Sequence, residues 1–167
     1  KGGLNGEGMG RAITIVVGGA RESLDAMPYT LRLTLKRRFG FVKMAMRTGA
    51  DLVPILAFGE NELYDQFSVE NRPLIRKFQF ALKSVMGWTL PLFHARGVFN
   101  YDVGLVPYRR PVNIVVGRPI MVKQNRKPTM EEVERVHRQY CEELTRLWET
   151  WKDDFAPNRK EEMRFLD

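Results

Sequence analysis

Apolar runs bounded by glycine or proline predict the strands of this chain. Residues 12–17 are rich in Ile and Val and lie between Gly10 and the pair Gly18 and Gly19, a pattern typical of a strand buried on both faces. Residues 52–58 form a second such run, broken by Pro54. Residues 31–36 instead alternate apolar and polar positions, which predicts a half-exposed strand, and residues 113–116 restore the strand pattern.

A helix is predicted between the strand at residues 31–36 and the strand at residues 52–58. Nearly every position in residues 41–48 is apolar. The two charged residues, Lys43 and Arg47, are four positions apart and share one stripe, and Gly49 is suited to the C-cap. We therefore expect a buried helix that carries a basic seam formed by Lys43 and Arg47. Residues 73–86 predict a second, amphipathic helix, with basic side chains that could face either anionic lipid or water.

A long helix is predicted near the end of the chain. Thr129 is followed three residues later by Glu132, which is the pattern of a capping box. Apolar residues then recur at steps of three and four and should form the packed face: Val133, Val136, Tyr140, Leu144, Leu147 and Trp151. The helix should end near Asp154, whereas residues 88–111 lack steady periodicity and are predicted to be irregular with one short strand.

Strands that alternate with helices predict an α/β fold, with a mostly buried sheet flanked by helices and a single domain over residues 1–167. The composition agrees with a packed core, since 44% of the residues are hydrophobic and 28% are charged. No uninterrupted apolar stretch is long enough to span a bilayer. The first residue is Lys1 rather than Met, which indicates that the sequence begins within a longer protein.

Charge and cysteine content restrict the partners. The 27 Lys and Arg against 20 Asp and Glu give a formal net charge of +7, which favours anionic partners such as phosphates, acidic lipid headgroups or nucleic acid. Nucleic acid is the least favoured, because the aromatics do not alternate with basic residues along one strand face. Cys141 is the only cysteine, so no internal disulfide forms, and no metal-ligand spacing exists. A lone cysteine in a helix most often serves packing.

Several segments together resemble one family of lipid enzymes. Four occur in the order IVVGGARE at 15–22, KRRFGFVK at 36–43, LVP at 52–54 with FGEN at 58–61, and VVGRPI at 115–120. PLFHARG at 91–97 and GLVPYRRP at 104–111 add to them. Taken together they resemble the type-2 diacylglycerol acyltransferases and their monoacylglycerol and wax-ester relatives, and their sequence is most similar to fungal members.

The resemblance implies a fold and an activity. The fold would be the layered glycerolipid-acyltransferase type, incomplete at its N-terminus, and the chain would be the carboxy-terminal part of that domain. The reaction would transfer a fatty acyl group from acyl-CoA to diacylglycerol, giving triacylglycerol, with no cofactor beyond the acyl-CoA co-substrate. It also implies a membrane surface as a partner and is compatible with a homo-oligomer. The expected location is the cytosol-facing side of the endoplasmic reticulum membrane, extending to lipid droplets. Two alternatives remain: a monoacylglycerol or wax-alcohol acyltransferase, and a non-catalytic membrane- or lipid-binding module on the same fold.

The family's His-Pro-His-Gly signature is absent from this sequence. Its histidine is the expected general base, and a base contributes about 10²–10⁴-fold to such reactions. Neither His94 nor His137 has the aspartate four residues on that related acyltransferases use. The chain alone is therefore expected to be inactive.

The supporting residues are predicted on three segments. Glu22 and Glu60, each in a turn after a predicted strand, would support catalysis. The alternatives are a solvated ion pair for Glu22, and a helix N-cap or a loop acid for Glu60. Gly18 and Gly19 would allow close approach of a ligand to the backbone. Cations for the phosphates of CoA would come from Arg21, Arg37, Arg38, Lys43 and Arg47, although a solvated basic turn explains residues 36–38 slightly better.

Overall fold

The computed structural model describes residues 12–66, 93–97 and 106–167. Its helices are α1 (Gly19–Asp25), α2 (Gly40–Thr48) and α3 (Met130–Phe155), with a short 3₁₀ helix at Glu60–Glu62. The strands are β1 (Arg32–Thr34), β2 (Ile55–Phe58), β3 (Asp65–Gln66), β4 (Phe93–His94), β5 (Asn113–Val116) and β6 (Arg164–Leu166). The helix predicted over residues 73–86 lies outside the described residues.

The described strands pair two by two. β1 pairs in parallel with β6, whereas β2 with β5 and β3 with β4 are antiparallel. Isolated bridges join Leu52 to Ile120 and Arg96 to Val106. The arrangement mixes helices with small sheets and is compatible with an α/β class.

Helix α3 organises the core because its apolar stripe meets different partners along its length. Its first turns pack against α2 and the segment around Val122, through Val133 and Val136. Its later turns pack against β2, through Leu144, Leu147 and Trp148. The ring of Trp148 stacks on Phe58 with centroids 5.7 Å apart. A single long helix therefore fixes the positions of both α2 and the β2–β5 pair.

The ends of the helices follow the sequence signals. The Thr129 hydroxyl accepts a hydrogen bond from the Glu132 amide, and the Glu132 carboxylate accepts one from the Thr129 amide, which confirms the capping box. Such a cap contributes about 0.5–2 kcal/mol. Gly49 has φ +71° and its N–H donates to the Ala45 carbonyl, which confirms the predicted C-cap of α2. Helix α3 ends one residue beyond the predicted Asp154.

The segment 115–120 has a packing role. A Cβ at Gly117 would meet the Pro54 carbonyl at 3.0 Å and the Leu147 side chain at 3.1 Å. The Arg118 amide donates to the Glu143 carboxylate at 2.7 Å. The absence of a side chain at residue 117 thus allows β5 to run close to β2 and α3.

Three predictions about burial are wrong. Residues 12–17 are not a strand, and Ile13 and Val16 are 83% and 80% exposed, since no strand among the described residues pairs with them. The β2–β5 pair is buried only on the face that packs against α3, so the strand in residues 52–58 is not buried on both faces. For the same reason, the described part of the chain does not contain the mostly buried sheet that was predicted. Helix α2 is amphipathic rather than buried, because Met44 and Arg47 face solvent.

The half-exposed strand in residues 31–36 is confirmed in part, because β1 is shorter and both Thr34 and Leu35 are buried. Among the described residues, no helix combines the length and apolar character needed to cross a membrane.

Candidate functional site

Glu22 is held in place by the backbone of a neighbouring strand. It lies in the first turn of α1, and its Oε2 accepts a hydrogen bond from the Thr34 amide at 2.7 Å. A Cβ at Gly18 would lie 2.1 Å from that same oxygen, so the carboxylate folds over a residue that must be glycine. Gly19 has φ +62°, which also favours glycine. The two predicted glycines therefore allow the Glu22 carboxylate to reach β1.

The electrostatics of Glu22 reflect its burial. Partial burial raises the pKa of its carboxyl above the ordinary 4.5, and the nearby Glu60 carboxylate raises it further, whereas the Thr34 hydrogen bond and the Arg38 guanidinium lower this pKa. The net direction is upward. Glu22 and Glu60 are 38 positions apart in sequence, yet the fold brings them into electrostatic range.

The basic turn, residues 36–38, approaches the same place. The Arg38 Nη2 donates to the Gly18 carbonyl at 3.2 Å, and the Arg38 amide donates to the Leu35 carbonyl at 2.9 Å. Arg37 is exposed and lies 3.8 Å from the Asp167 carboxylate, an ion pair that contributes little at such a surface. We call Gly18, Glu22, Thr34 and Arg38 the Glu22 corner.

Glu60 lies in a tight turn after β2. Gly59 has φ +87°, and a Cβ there would lie 2.3 Å from the Pro111 carbonyl, so the turn requires glycine. Asn61 donates to the Thr30 carbonyl at 2.9 Å, which fastens the turn to the segment before β1. The turn borders a cavity of about 30 Å³ whose floor includes Phe58 and Trp148. This volume is enough for about one water molecule.

No hydrogen bond or ion pair among the described residues joins Lys43 or Arg47 to that corner. Both are on α2, where Lys43 is half-buried and Arg47 is exposed. Across the described ranges, neither side chain forms an ion pair. The prediction that Lys43 and Arg47 form a buried seam is therefore wrong. Their proposed role in binding stays a prediction. Arg21 lies within α1, and its side chain is outside the described residues.

Three further residues lie near the site, and the sequence did not predict that they would contribute to it. Thr34 is 1% exposed, and its hydroxyl has no hydrogen-bond partner among the described residues. Tyr140 comes close enough to Glu22 for the carboxylate to contribute to a raised pKa, although burial is the main cause. His137 is 8% exposed and contacts the Leu35 carbonyl. The spacing of four between Val133, His137 and Cys141 is the signal that places His137 on the packed face.

The cysteine behaves as the sequence suggested. Burial raises the pKa of the Cys141 thiol to about 11, so the thiol stays protonated and unreactive near neutral pH. His94 lies in β4, and its side chain is outside the described residues. Trp148 is a core residue at 3% exposure, and Trp151 packs at the edge of the same cluster, so packing explains both.

Comparison with known proteins gives a consistent result. The family model described as "Diacylglycerol acyltransferase" matches residues 2–165. The chain is 48% identical over 162 residues to 2-acylglycerol O-acyltransferase 1 of Bos taurus, covering 97% of this chain and 48% of that protein. It is 46% identical over 162 residues to diacylglycerol O-acyltransferase 2A of Umbelopsis ramanniana, covering 96% and 46%. No solved structure matches the chain.

A second fungal relative gives the same picture. Diacylglycerol O-acyltransferase 1 of Schizosaccharomyces pombe is 46% identical over 155 residues, which cover 93% of this chain and 45% of that protein. The chain thus spans about half the length of the curated relatives that it matches. Since the family model covers nearly every residue, the chain belongs to the diacylglycerol acyltransferase family.

Proposed function

We propose that this chain is the carboxy-terminal part of an acyl-CoA-dependent O-acyltransferase that transfers a fatty acyl group to the hydroxyl of diacylglycerol. Family membership supports this reading, as do the names of the fungal relatives. The whole of residues 1–167 would belong to one acyltransferase domain with the layered glycerolipid-acyltransferase fold.

The observation that carries the proposal is the convergence of Glu22, Glu60 and Arg38. A half-buried carboxylate with a raised pKa, next to a second carboxylate and a guanidinium, suits the orientation of a polar substrate group. Both carboxylates act in supporting roles here, because the general base is expected in the family's histidine signature. The phosphates of CoA would be met by Arg37 and Arg38 on the basic turn, and by Arg21, Lys43 and Arg47.

Gly18 and Gly19 complete this arrangement, because the ligand would approach the backbone where they lack side chains. The chemistry needs no metal and no cofactor other than the acyl-CoA co-substrate.

A direct assay tests the proposal. The full-length protein, in microsomal membranes, would be given labelled acyl-CoA and diacylglycerol, and triacylglycerol would be measured. We expect turnover by the full-length protein and none by residues 1–167 alone, because a missing general base costs about 10²–10⁴-fold. An inactive full-length protein that still binds lipid would favour the non-catalytic module, and turnover by residues 1–167 above a heat-killed control would contradict the role given to the absent histidine.

Monoacylglycerol is the second candidate acceptor. The relatives named 2-acylglycerol O-acyltransferase 1 in Bos taurus and Homo sapiens are 48% and 50% identical to the chain, at least as similar as the fungal relatives. Competition between diacylglycerol, 2-monoacylglycerol and a long-chain alcohol in one assay separates the three activities. The acceptor with the highest kcat/KM identifies the enzyme.

The cellular setting is part of the same proposal. We expect the full-length protein on the cytosol-facing surface of the endoplasmic reticulum, with movement to lipid droplets, since both substrates partition into membranes. Fractionation with an endoplasmic reticulum marker tests the location, and crosslinking in those membranes tests for a homo-oligomer. Recovery in the soluble fraction would contradict the membrane surface as partner.

A further inference from the structure

The side chain of His137 is buried, and both of its ring nitrogens have partners. Its Nε2 lies 3.0 Å from the Leu35 carbonyl oxygen. A carbonyl oxygen only accepts, so Nε2 carries the proton and donates. The Cys141 Sγ lies 3.8 Å from Nδ1, at the distance of a weak hydrogen bond to sulfur. The orientation of the ring is therefore set by the hydrogen bond from Nε2 to the backbone of residue 35.

The Leu35 carbonyl is the point at which the basic turn begins. It accepts the Arg38 amide at 2.9 Å, which closes the turn, and the His137 ring, which ties the turn to α3. On the opposite side, the amides of Leu35 and Lys36 both donate to the Leu166 carbonyl at 3.1 Å. The turn is thus fastened between β6 and α3, and the side-chain donor on the α3 side is His137.

Ring contacts extend this hold to the exit of the turn. The His137 ring lies 4.8 Å from Phe39 and 6.1 Å from Phe41, measured between centroids. Phe39 directly follows Arg38 and caps α2. One side chain of α3 therefore contacts the residue before the three cations and the residue after them.

The position of the turn matters for the Glu22 corner. Arg38 reaches the Gly18 carbonyl at 3.2 Å and lowers the pKa of Glu22, and Arg37 extends into solvent. A shift of the Leu35 carbonyl would move both guanidinium groups together.

We propose that His137 is a positioning residue, which holds the basic turn so that Arg37 and Arg38 meet the phosphates of acyl-CoA. The role rests on the proposed acyl-CoA chemistry. It differs from catalysis by the histidine, because the ring is buried and donates to a backbone carbonyl.

The test uses the full-length protein and three substitutions at residue 137. His137→Phe keeps a ring against Phe39 and Phe41 but removes the donor. His137→Gln places an amide N–H at about the reach of Nε2, whereas His137→Asn is polar but too short to reach the Leu35 carbonyl. Cys141→Ala is the matched control on the same helix, since it removes only the weak contact to Nδ1.

We expect His137→Phe and His137→Asn to raise the KM for acyl-CoA about tenfold, with kcat and the KM for diacylglycerol within about twofold of wild type. His137→Gln and Cys141→Ala should keep the wild-type KM. Equilibrium binding of coenzyme A, measured by calorimetry, should weaken in parallel. If His137 had only a structural role, its substitution would lower abundance or melting temperature but would not raise the KM for acyl-CoA more than the KM for diacylglycerol.

Two results would overturn the role of His137. One is equal KM values for acyl-CoA in the Gln and Asn variants, which also decides the matter if the Phe variant fails to accumulate. The other is a loss of kcat or an equal rise in both KM values. A wild-type protein that neither transfers acyl groups nor binds coenzyme A would overturn the proposed function as well, so the two failures are distinguishable.

Discussion

Two groups of cations follow each other along the chain, and their surroundings differ. Arg38 belongs to the Glu22 corner, where it contacts a backbone carbonyl and lies near a half-buried carboxylate. Lys43 and Arg47 follow on α2, where no acid among the described residues meets them. The Arg38 guanidinium thus has partners within the protein, whereas no described acid pairs with Lys43 or Arg47. Substitutions should therefore affect the two groups in different ways.

The largest effect is expected at Glu22. Glu22→Gln keeps an oxygen that accepts the Thr34 amide but removes the charge, so turnover should fall about 10–100-fold while expression stays near wild type. Glu60→Gln should lower turnover less, because Glu60 is exposed. Initial rates at equal protein abundance check both variants, and wild-type rates in both would show that the carboxylates are structural.

Substitution of the basic seam, Lys43 and Arg47, should lower the affinity for acyl-CoA. Replacing Lys43 and Arg47 together by Met keeps length and leaves no buried acid unpaired among the described residues, so the melting temperature should hardly change. If CoA phosphates meet the pair, the KM for acyl-CoA should rise at least tenfold, since charged hydrogen bonds contribute about 1.5–3 kcal/mol each.

Thermal melting and acyl-CoA titration of this full-length double variant measure both quantities. A large drop in melting temperature would reveal an internal acidic partner, and a variant normal in both would refute the seam as a binding site.

A smaller effect concerns the pH dependence of stability. The pKa of folded Glu22 is raised by burial, so the bound proton stabilises the folded state fully below the ordinary pKa of 4.5, and this contribution is lost as pH rises through the folded pKa. Wild type should therefore lose stability relative to Glu22→Gln as pH rises above the ordinary pKa of 4.5. Parallel melting curves of the two full-length proteins measure the difference, and a constant offset would contradict the raised pKa.

The smallest effect is expected at Cys141, which lies beside neither group of cations. Its thiol has a pKa raised to about 11, so alkylation by iodoacetamide at neutral pH should be more than about tenfold slower than that of glutathione. Full reactivity should return in denaturant. Labelling as fast as that of glutathione in the folded protein would show that the thiol is not enclosed.

Local signals in the sequence were sufficient for the helix ends. The capping box at Thr129 and Glu132 and the glycine cap at Gly49 depend on residues within one or two turns, and both were predicted correctly. Strand burial depends on partners that the local pattern does not contain. Residues 12–17 have the composition of a buried strand, yet no described strand pairs with them, so their Ile and Val side chains stay exposed.

The site shows the same limit. The sequence indicated Glu22, Glu60 and Arg38 one by one, through the family resemblance and through their turns. It did not indicate that Glu22 would accept from the Thr34 amide, because that bond depends on how α1 packs beside β1. His137 lacks the aspartate of a catalytic motif, yet its spacing from Val133 places it on the buried face.

The parallel pairing of β1 with β6 sets an order of events during synthesis. Arg32 is paired with Arg164, and the amides of Leu35 and Lys36 bond to Leu166, so these links close a loop of more than a hundred residues. Contacts so distant in sequence form late, because the entropy of closing the loop must be overcome first. The ribosome will have released Glu22, Thr34 and Arg38 long before Leu166 emerges. Until then the nascent chain lacks the strand that fastens the basic turn.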